Sequence, residues 1–195
     1  MKFRSDETRY EFRQFGADLA GVREAFARLG VGVASPVSRE TYIVTRLNIE
    51  SNVKIRGGRL QVKTLKARLG ALEQWARPLD AELPVSVTDV EDIVLPALGL
   101  DIEIGERGAL GEGPLLALMA GQHSLAIQGV EKRRTLYEIG DCVAEFCELE
   151  IAGERLHTIA IEAVDADAAL DLLENAGLGE AQNESYAEFL QRRLF

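Results

Sequence analysis

Basic side chains at every second position of a strand can converge on an anion, and residues 53–63, V-K-I-R-G-G-R-L-Q-V-K, have that spacing. Lys54 and Arg56 share one face, with Val53 and Ile55 on the other. Gly57 and Gly58 tolerate positive φ and suit a hairpin turn. Beyond them Gln61 and Lys63 share a face, with Leu60 and Val62 opposite. The result is a hairpin with one apolar and one cationic face. On an open sheet the cationic face would be ordinary solvated surface. A second basic cluster, Lys132, Arg133 and Arg134, in a later strand-like run, and acidic strands beyond it, favour a site instead. Net charge is -10 and the pI about 4.8, which argues against a general nucleic-acid binder. A basic site in such a chain is local, and its natural ligand is a small anion.

The same alternation sorts the remaining charges. In R-Y-E-F-R-Q-F over 9–15, Arg9, Glu11 and Arg13 face one way and Tyr10 and Phe12 the other. Lys132 and Arg134 share a face, and a bulge would bring in Arg133 instead. Glu145 lies opposite Glu148 and Glu150, so a regular strand cannot turn all three inward. Cys142 and Cys147, the only cysteines, would be roughly 16 Å apart on one strand, beyond disulfide reach. They read as reduced thiols of a cytoplasmic protein. His123 and His157 have no partner at ligand spacing, and Trp75 reads as core or rim. The glycine-rich run 105–113 lacks the G-x-x-x-x-G-K-[ST] pattern of a phosphate loop.

The elements that must position these groups alternate in kind. After the first strand, apolar spacing predicts a helix over 17–29 stopped by Gly30, then β structure over 41–44 and a loop or strand end over 45–51. A strand over 69–75 ending before Pro78 follows. Next come a helix over 90–98 capped by Thr88 or Asp89, a short strand over 102–106 and a helix over 114–120. Strands are expected over 123–128, 130–139, 142–151 and 156–164, separated by glycines, then helices over 168–176 and 185–194. No apolar run is long enough to span a bilayer, and the N-terminal nine residues carry charges without the apolar stretch of a signal peptide. One α+β domain over 1–195 is the economical reading.

Taken in order, these segments resemble the CYTH superfamily, the triphosphate tunnel metalloenzymes related to class IV adenylate cyclases and thiamine triphosphatases. The resemblance rests on an E-x-E-x-K-like first strand, V-K-I-R followed by Q-V-K, and L-E-Q-W-A-R-P. The K-R-R strand, the glutamate-rich strands ending T-I-A-I-E and the closing S-Y-A-E-F-L complete it. It implies a closed antiparallel β-barrel with a charged interior and helices packed outside. It also implies a tunnel in which Arg13, Lys54, Arg56, Lys63, Lys132 and Arg134 bind a small anionic triphosphate or polyphosphate. Glu11, Glu145 and Glu162 would hold Mg²⁺ or Mn²⁺, hard cations suited to oxygen ligands. The chain departs from the pattern at Arg9, which stands where the family has the first glutamate; a guanidinium has no acceptor and ligates no metal. The expected activity is metal-dependent hydrolysis of inorganic or small organic triphosphates. A non-catalytic polyphosphate-binding or interaction protein, or a cyclase-like enzyme, is the alternative.

Overall fold

The computed structural model describes residues 8–105 and 108–195. Strand β1 (Arg9–Gly16) leads to α1 (Ala20–Leu29), then β2 (Gly32–Ala34), β3 (Ser38–Thr45), β4 (Ser51–Arg56), β5 (Arg59–Leu69) and β6 (Leu72–Glu82). A small ribbon of β7 (Val85–Ser86) and β8 (Ala109–Leu110) brackets a helical segment: α2 (Val87–Asp89), a π turn (Val90–Val94) and α3 (Leu95–Leu98). Helix α4 (Glu112–Ala120) precedes the long hairpins β9 (Leu125–Ile139), β10 (Cys142–Ile151) and β11 (Glu154–Ala163). Helices α5 (Ala166–Asn175) and α6 (Tyr186–Leu194) end the chain.

All pairings in the main sheet are antiparallel, in the order β10-β11-β1-β6-β5-β4-β3-β9. A β9–β10 pairing joins the two ends and closes an eight-stranded barrel. The short β2 adds to β9 beyond β3. Closure of an antiparallel sheet removes exposed edges and gives every strand a distinct inner and outer face.

The barrel is apolar outside and charged within. The outward side chains Val53, Ile55, Leu60 and Val62 pack with Val90, Val94, Leu95, Leu98, Leu115 and Met119 of the covering helices. On the other flank, Phe12, Ala144, Phe146, Ile159 and Ile161 pack with Phe26 of α1 and Leu172 and Leu173 of α5. Burying these two outer faces supplies the hydrophobic stabilisation that most folds draw from a barrel interior. A third cluster contains Tyr42, Val44, Val130, Cys147 and Leu149 from the inner faces, with Tyr186, Phe189 and Leu190 of α6. A capping box fixes the start of α6: the Ser185 hydroxyl accepts from the Glu188 N–H and the Glu188 carboxylate accepts from the Ser185 N–H.

Several expected boundaries move, each for a local reason. The run 69–75 is not one strand: β5 ends at Leu69, the chain turns at Gly70 with φ 58°, and β6 begins at Leu72. Pro78 does not stop β6. It sits where the β5–β6 register slips between Val62 and Thr64, and a bulge tolerates a residue without an N–H. Gly129 does not divide two strands, since β9 runs through it from Leu125 to Ile139. Ser86 rather than Thr88 or Asp89 caps the helical segment, its hydroxyl accepting from the Asp89 N–H. Residues 102–105 form no strand, and Glu106 and the first seven residues lie outside those described. Gly57 and Gly58 do form the expected hairpin turn, with φ of 57° and 72°. No helix among the described residues is long and apolar enough to cross a membrane. Both cysteines are buried and free.

Candidate functional site

Inward alternation delivers the charged side chains to one place. Arg9, Glu11 and Arg13 of β1, Lys54 and Arg56 of β4 and Lys63 of β5 line a cavity of about 320 Å³. Lys132 and Arg134 of β9, Glu145 of β10 and Glu162 of β11 complete its charged wall. All nine residues expected at the site therefore meet in the barrel. Arg133 points away and pairs with Glu131 at 2.7 Å, so β9 carries no bulge there. Glu148 is exposed and Glu150 approaches Arg155 at 3.9 Å, both on the outer side of β10.

The strongest feature is a residue not singled out in the sequence. Glu40 of β3 is 1% exposed and collects four cations. Its Oε2 lies 3.0 Å from both Lys54 Nζ and Lys132 Nζ, and its Oε1 meets Arg134 Nη2, with Arg56 Nη1 3.6 Å away. The Tyr42 hydroxyl donates to Glu40 at 2.9 Å and accepts from Lys132 at 2.6 Å. Lys132, 2% exposed, also sits 3.7 Å over the Tyr186 ring. Burial opposes ionisation of Glu40, but Lys54, Lys132 and Arg134 outweigh it and hold its carboxyl far below the usual range. Burial pushes the Lys54 ammonium down to about 8, with Arg56 and Lys63 adding repulsion that Glu40 only partly offsets. Lys132 is lowered further, chiefly by burial, and Lys54 and Arg134 add repulsion.

The second group is built across β1 and β11. Register places Glu11 directly opposite Glu162, a like-charge pair that a sheet tolerates only with a cation between. Lys63 provides it, with Nζ 2.7 Å from Glu11 Oε2 and 3.7 Å from Glu162 Oε1. Arg13 Nε approaches Glu11 Oε1 at 3.0 Å, and its Nη1 approaches Glu145 Oε1 at 3.2 Å. Arg134 Nε lies 3.1 Å from Glu145 Oε2, and Arg9 Nη1 is 3.4 Å from Glu162 Oε2. Burial works against ionisation of Glu11 and Glu145, yet the flanking cations keep both carboxyls below the usual range. Burial lowers Lys63, but Glu11 and Glu162 outweigh it and raise its pKa above the ordinary value.

The carboxylates assigned by resemblance to a divalent ion do not fit one as they stand. All six oxygens of Glu11, Glu145 and Glu162 already lie within salt-bridge distance of a lysine or arginine nitrogen. Among the described residues no three His, Cys, Asp or Glu side chains form a group able to hold a metal ion. The arrangement is instead suited to an anion. Arg77 also lines the cavity but pairs with Asp80 at 3.3 Å. Setting it aside, among the described residues seven basic lining side chains face four carboxylates, counting Glu40. The Tyr186 hydroxyl, buried and lining the same cavity, has no hydrogen-bond partner among the described residues. Besides Glu40, sequence reasoning missed Arg77 and Tyr186; extending the strand at 41–44 back three residues would have placed Glu40 on the inner face.

Replacing Glu40 with Gln leaves four cations without their shared anion. The substitution should lower the stability of the unliganded protein by about 3 to 5 kcal/mol in urea unfolding. Inorganic triphosphate should then raise the Tm of Glu40→Gln more than that of the wild type. Unchanged stability with an unchanged ligand response would mean that Glu40 does not hold the cations together.

No protein-family model matches the sequence, and neither does any curated protein. Solved structures do match over almost the whole chain. A candidate adenylate cyclase from Bacillus halodurans is 11% identical with a TM-score of 0.56, covering 98% of this chain and 100% of its own. The PH1012 protein of Pyrococcus horikoshii is 16% identical with a TM-score of 0.53, covering 90% of this chain and 94% of its own. HpAC1 from Hippeastrum, a candidate adenylyl cyclase with a dominant triphosphatase activity, is 14% identical with a TM-score of 0.53 and covers 95% of both chains. At such identities the likeness is one of fold: the chain shares with these proteins a closed antiparallel β-barrel with helices packed outside, the architecture expected from the sequence.

Proposed function

We propose that the protein binds a small linear triphosphate inside the barrel. The observation that carries this reading is the charge imbalance of the cavity: among the described residues seven basic side chains stand against four carboxylates, most of them where water screens poorly. Two cations about 6 Å apart repel by roughly 3 kcal/mol at an effective dielectric near 20. A triphosphate concentrates several negative charges on a short chain and matches convergent lysines and arginines as a single phosphate does not. The Tyr186 hydroxyl, without a hydrogen-bond partner among the described residues, supplies a further donor for a phosphate oxygen.

Hydrolysis of the bound triphosphate is a second reading. It draws support from the triphosphatase activity of HpAC1, which shares the fold, and from the presence of Glu11, Glu145 and Glu162 in the same cavity. Phosphate release from inorganic triphosphate in Mg²⁺ or Mn²⁺ buffer would establish it; pure binding leaves the triphosphate intact.

Binding is tested by thermal shift, because a ligand of the folded state alone raises Tm. Arg56 is partly exposed and 3.6 Å from Glu40, so Arg56→Ala should change unliganded stability by less than about 1 kcal/mol. It should also reduce the triphosphate-induced rise in Tm. If Arg56→Ala unfolds the unliganded protein, Arg56 is a structural ion-pair member and not a ligand contact.

The Lys54 ammonium gives a pH signature. Its pKa is about 8 in the unliganded fold, against 10.5 ordinarily, and a bound polyanion raises it again. Binding above pH 8 therefore takes up a proton, and affinity should fall as pH rises from 8 towards 10, by at most tenfold per unit for one proton. Over that interval this group makes the unliganded fold more stable with rising pH, because the unfolded chain binds the extra proton. Titration calorimetry at pH 7, 8 and 9 should show the fall, with a shallower slope in Lys54→Met. Affinity that is flat with pH, or equally steep in the variant, contradicts the assignment.

A further inference from the structure

Resting on the triphosphate reading above, we propose that this tunnel takes its ligand without a divalent metal ion, the cationic bridge being supplied by the chain through Arg9, Arg13 and Lys63. A hard cation needs oxygen ligands free to turn towards it, typically one or two carboxylates plus phosphate oxygens. Here each oxygen of Glu11, Glu145 and Glu162 faces a fixed cation at 2.7 to 3.7 Å. A metal ion entering this group would have to displace Lys63 from the Glu11–Glu162 pair or Arg13 from the Glu11–Glu145 pair.

The three cations are held, not mobile. Arg13 is 6% exposed and is fastened by Glu11, Glu145 and the Thr158 hydroxyl, with its guanidinium 4.7 Å from the Tyr186 ring centre. Lys63 bridges two glutamates, and the Arg9 side chain is only 12% exposed against Glu162. Guanidinium groups do not deprotonate, so Arg9 and Arg13 stay charged at any working pH. Their N–H groups can donate in pairs to phosphate oxygens, which a metal ion would otherwise neutralise. Lys54, Arg56, Lys132 and Arg134 line the same cavity, so cations from β1, β4, β5 and β9 converge on one space. The excess of basic over acidic side chains makes neutralisation by a metal unnecessary. A free divalent ion would even compete, by chelating triphosphate in solution and lowering its charge.

The test is calorimetric titration of the intact protein with inorganic triphosphate, once in EDTA and once in excess Mg²⁺. The expected result is binding in EDTA as tight as in Mg²⁺ or tighter. Arg9→Gln should weaken binding in EDTA by about tenfold or more, the loss expected for a charge-assisted contact. Its unfolding midpoint without ligand, measured alongside, separates a loss of binding from a loss of folding. Binding at least tenfold tighter with Mg²⁺, or an Arg9→Gln protein that binds in EDTA like the wild type, overturns the inference and leaves the triphosphate reading standing. Absence of binding in both buffers overturns the triphosphate reading itself, and this inference with it.

Discussion

Cations enclosed in a protein barrel repel one another, and the fold can close only where something offsets that repulsion. In this molecule the offset is internal and incomplete. Glu40 draws Lys54, Lys132, Arg134 and Arg56 around one buried carboxylate, while Glu11, Glu145 and Glu162 interleave with Arg9, Arg13 and Lys63. Arg134 touches both Glu40 and Glu145, so the two groups form one network. Such a network is conditionally stable: complete, it orders the interior, and with one member removed it strands several charges at once. The carboxylates occupy the places that an incoming polyanion would contest, and the remaining positive excess favours its entry.

That interior is possible because the hydrophobic stabilisation comes from elsewhere. Around the cavity, strands such as β4 send apolar residues outward under a helix and charged residues inward, so a single alternation builds both core and site. Val53 and Ile55 lie against the helical segment between β7 and β8, while Lys54 and Arg56, one residue away, line the cavity. Register is therefore fixed twice over: a one-residue slip would place lysine under α3 and valine in the tunnel. The turn at Gly57 and Gly58 sets that register from one end, and the closure between β9 and β10 sets it from the other.

Much of this is legible in the amino-acid sequence. Alternation alone assigns the faces of Lys54, Arg56, Lys63, Lys132 and Arg134, and it separates Glu145 from Glu148 and Glu150, because a regular strand leaves no other choice. Closure is not legible from alternation, since an open sheet with a wet face has the same pattern; the ordered resemblance supplies it. Glu40 escapes because one glutamate at the start of a β-prone run looks like surface until a barrel encloses it. Gly129 and Pro78 mislead in the opposite direction, reading as punctuation where tertiary pairing carries the strand through. The expected metal set shows a further limit. Alternation puts Glu11, Glu145 and Glu162 correctly on the inner face, but only the folded barrel reveals that every one of their oxygens already has a basic partner.

The most direct measurement of the central claim, that the barrel interior is a polyanion site, is a crystal structure of the protein grown with inorganic triphosphate in metal-free buffer. Phosphate oxygens should lie within hydrogen-bond distance of Lys54, Arg56, Lys63 and Arg134 inside the barrel, with the Tyr186 hydroxyl directed at one of them. Triphosphate found only on the outer surface, with the Glu40 network unaltered and the cavity holding water alone, would contradict the claim.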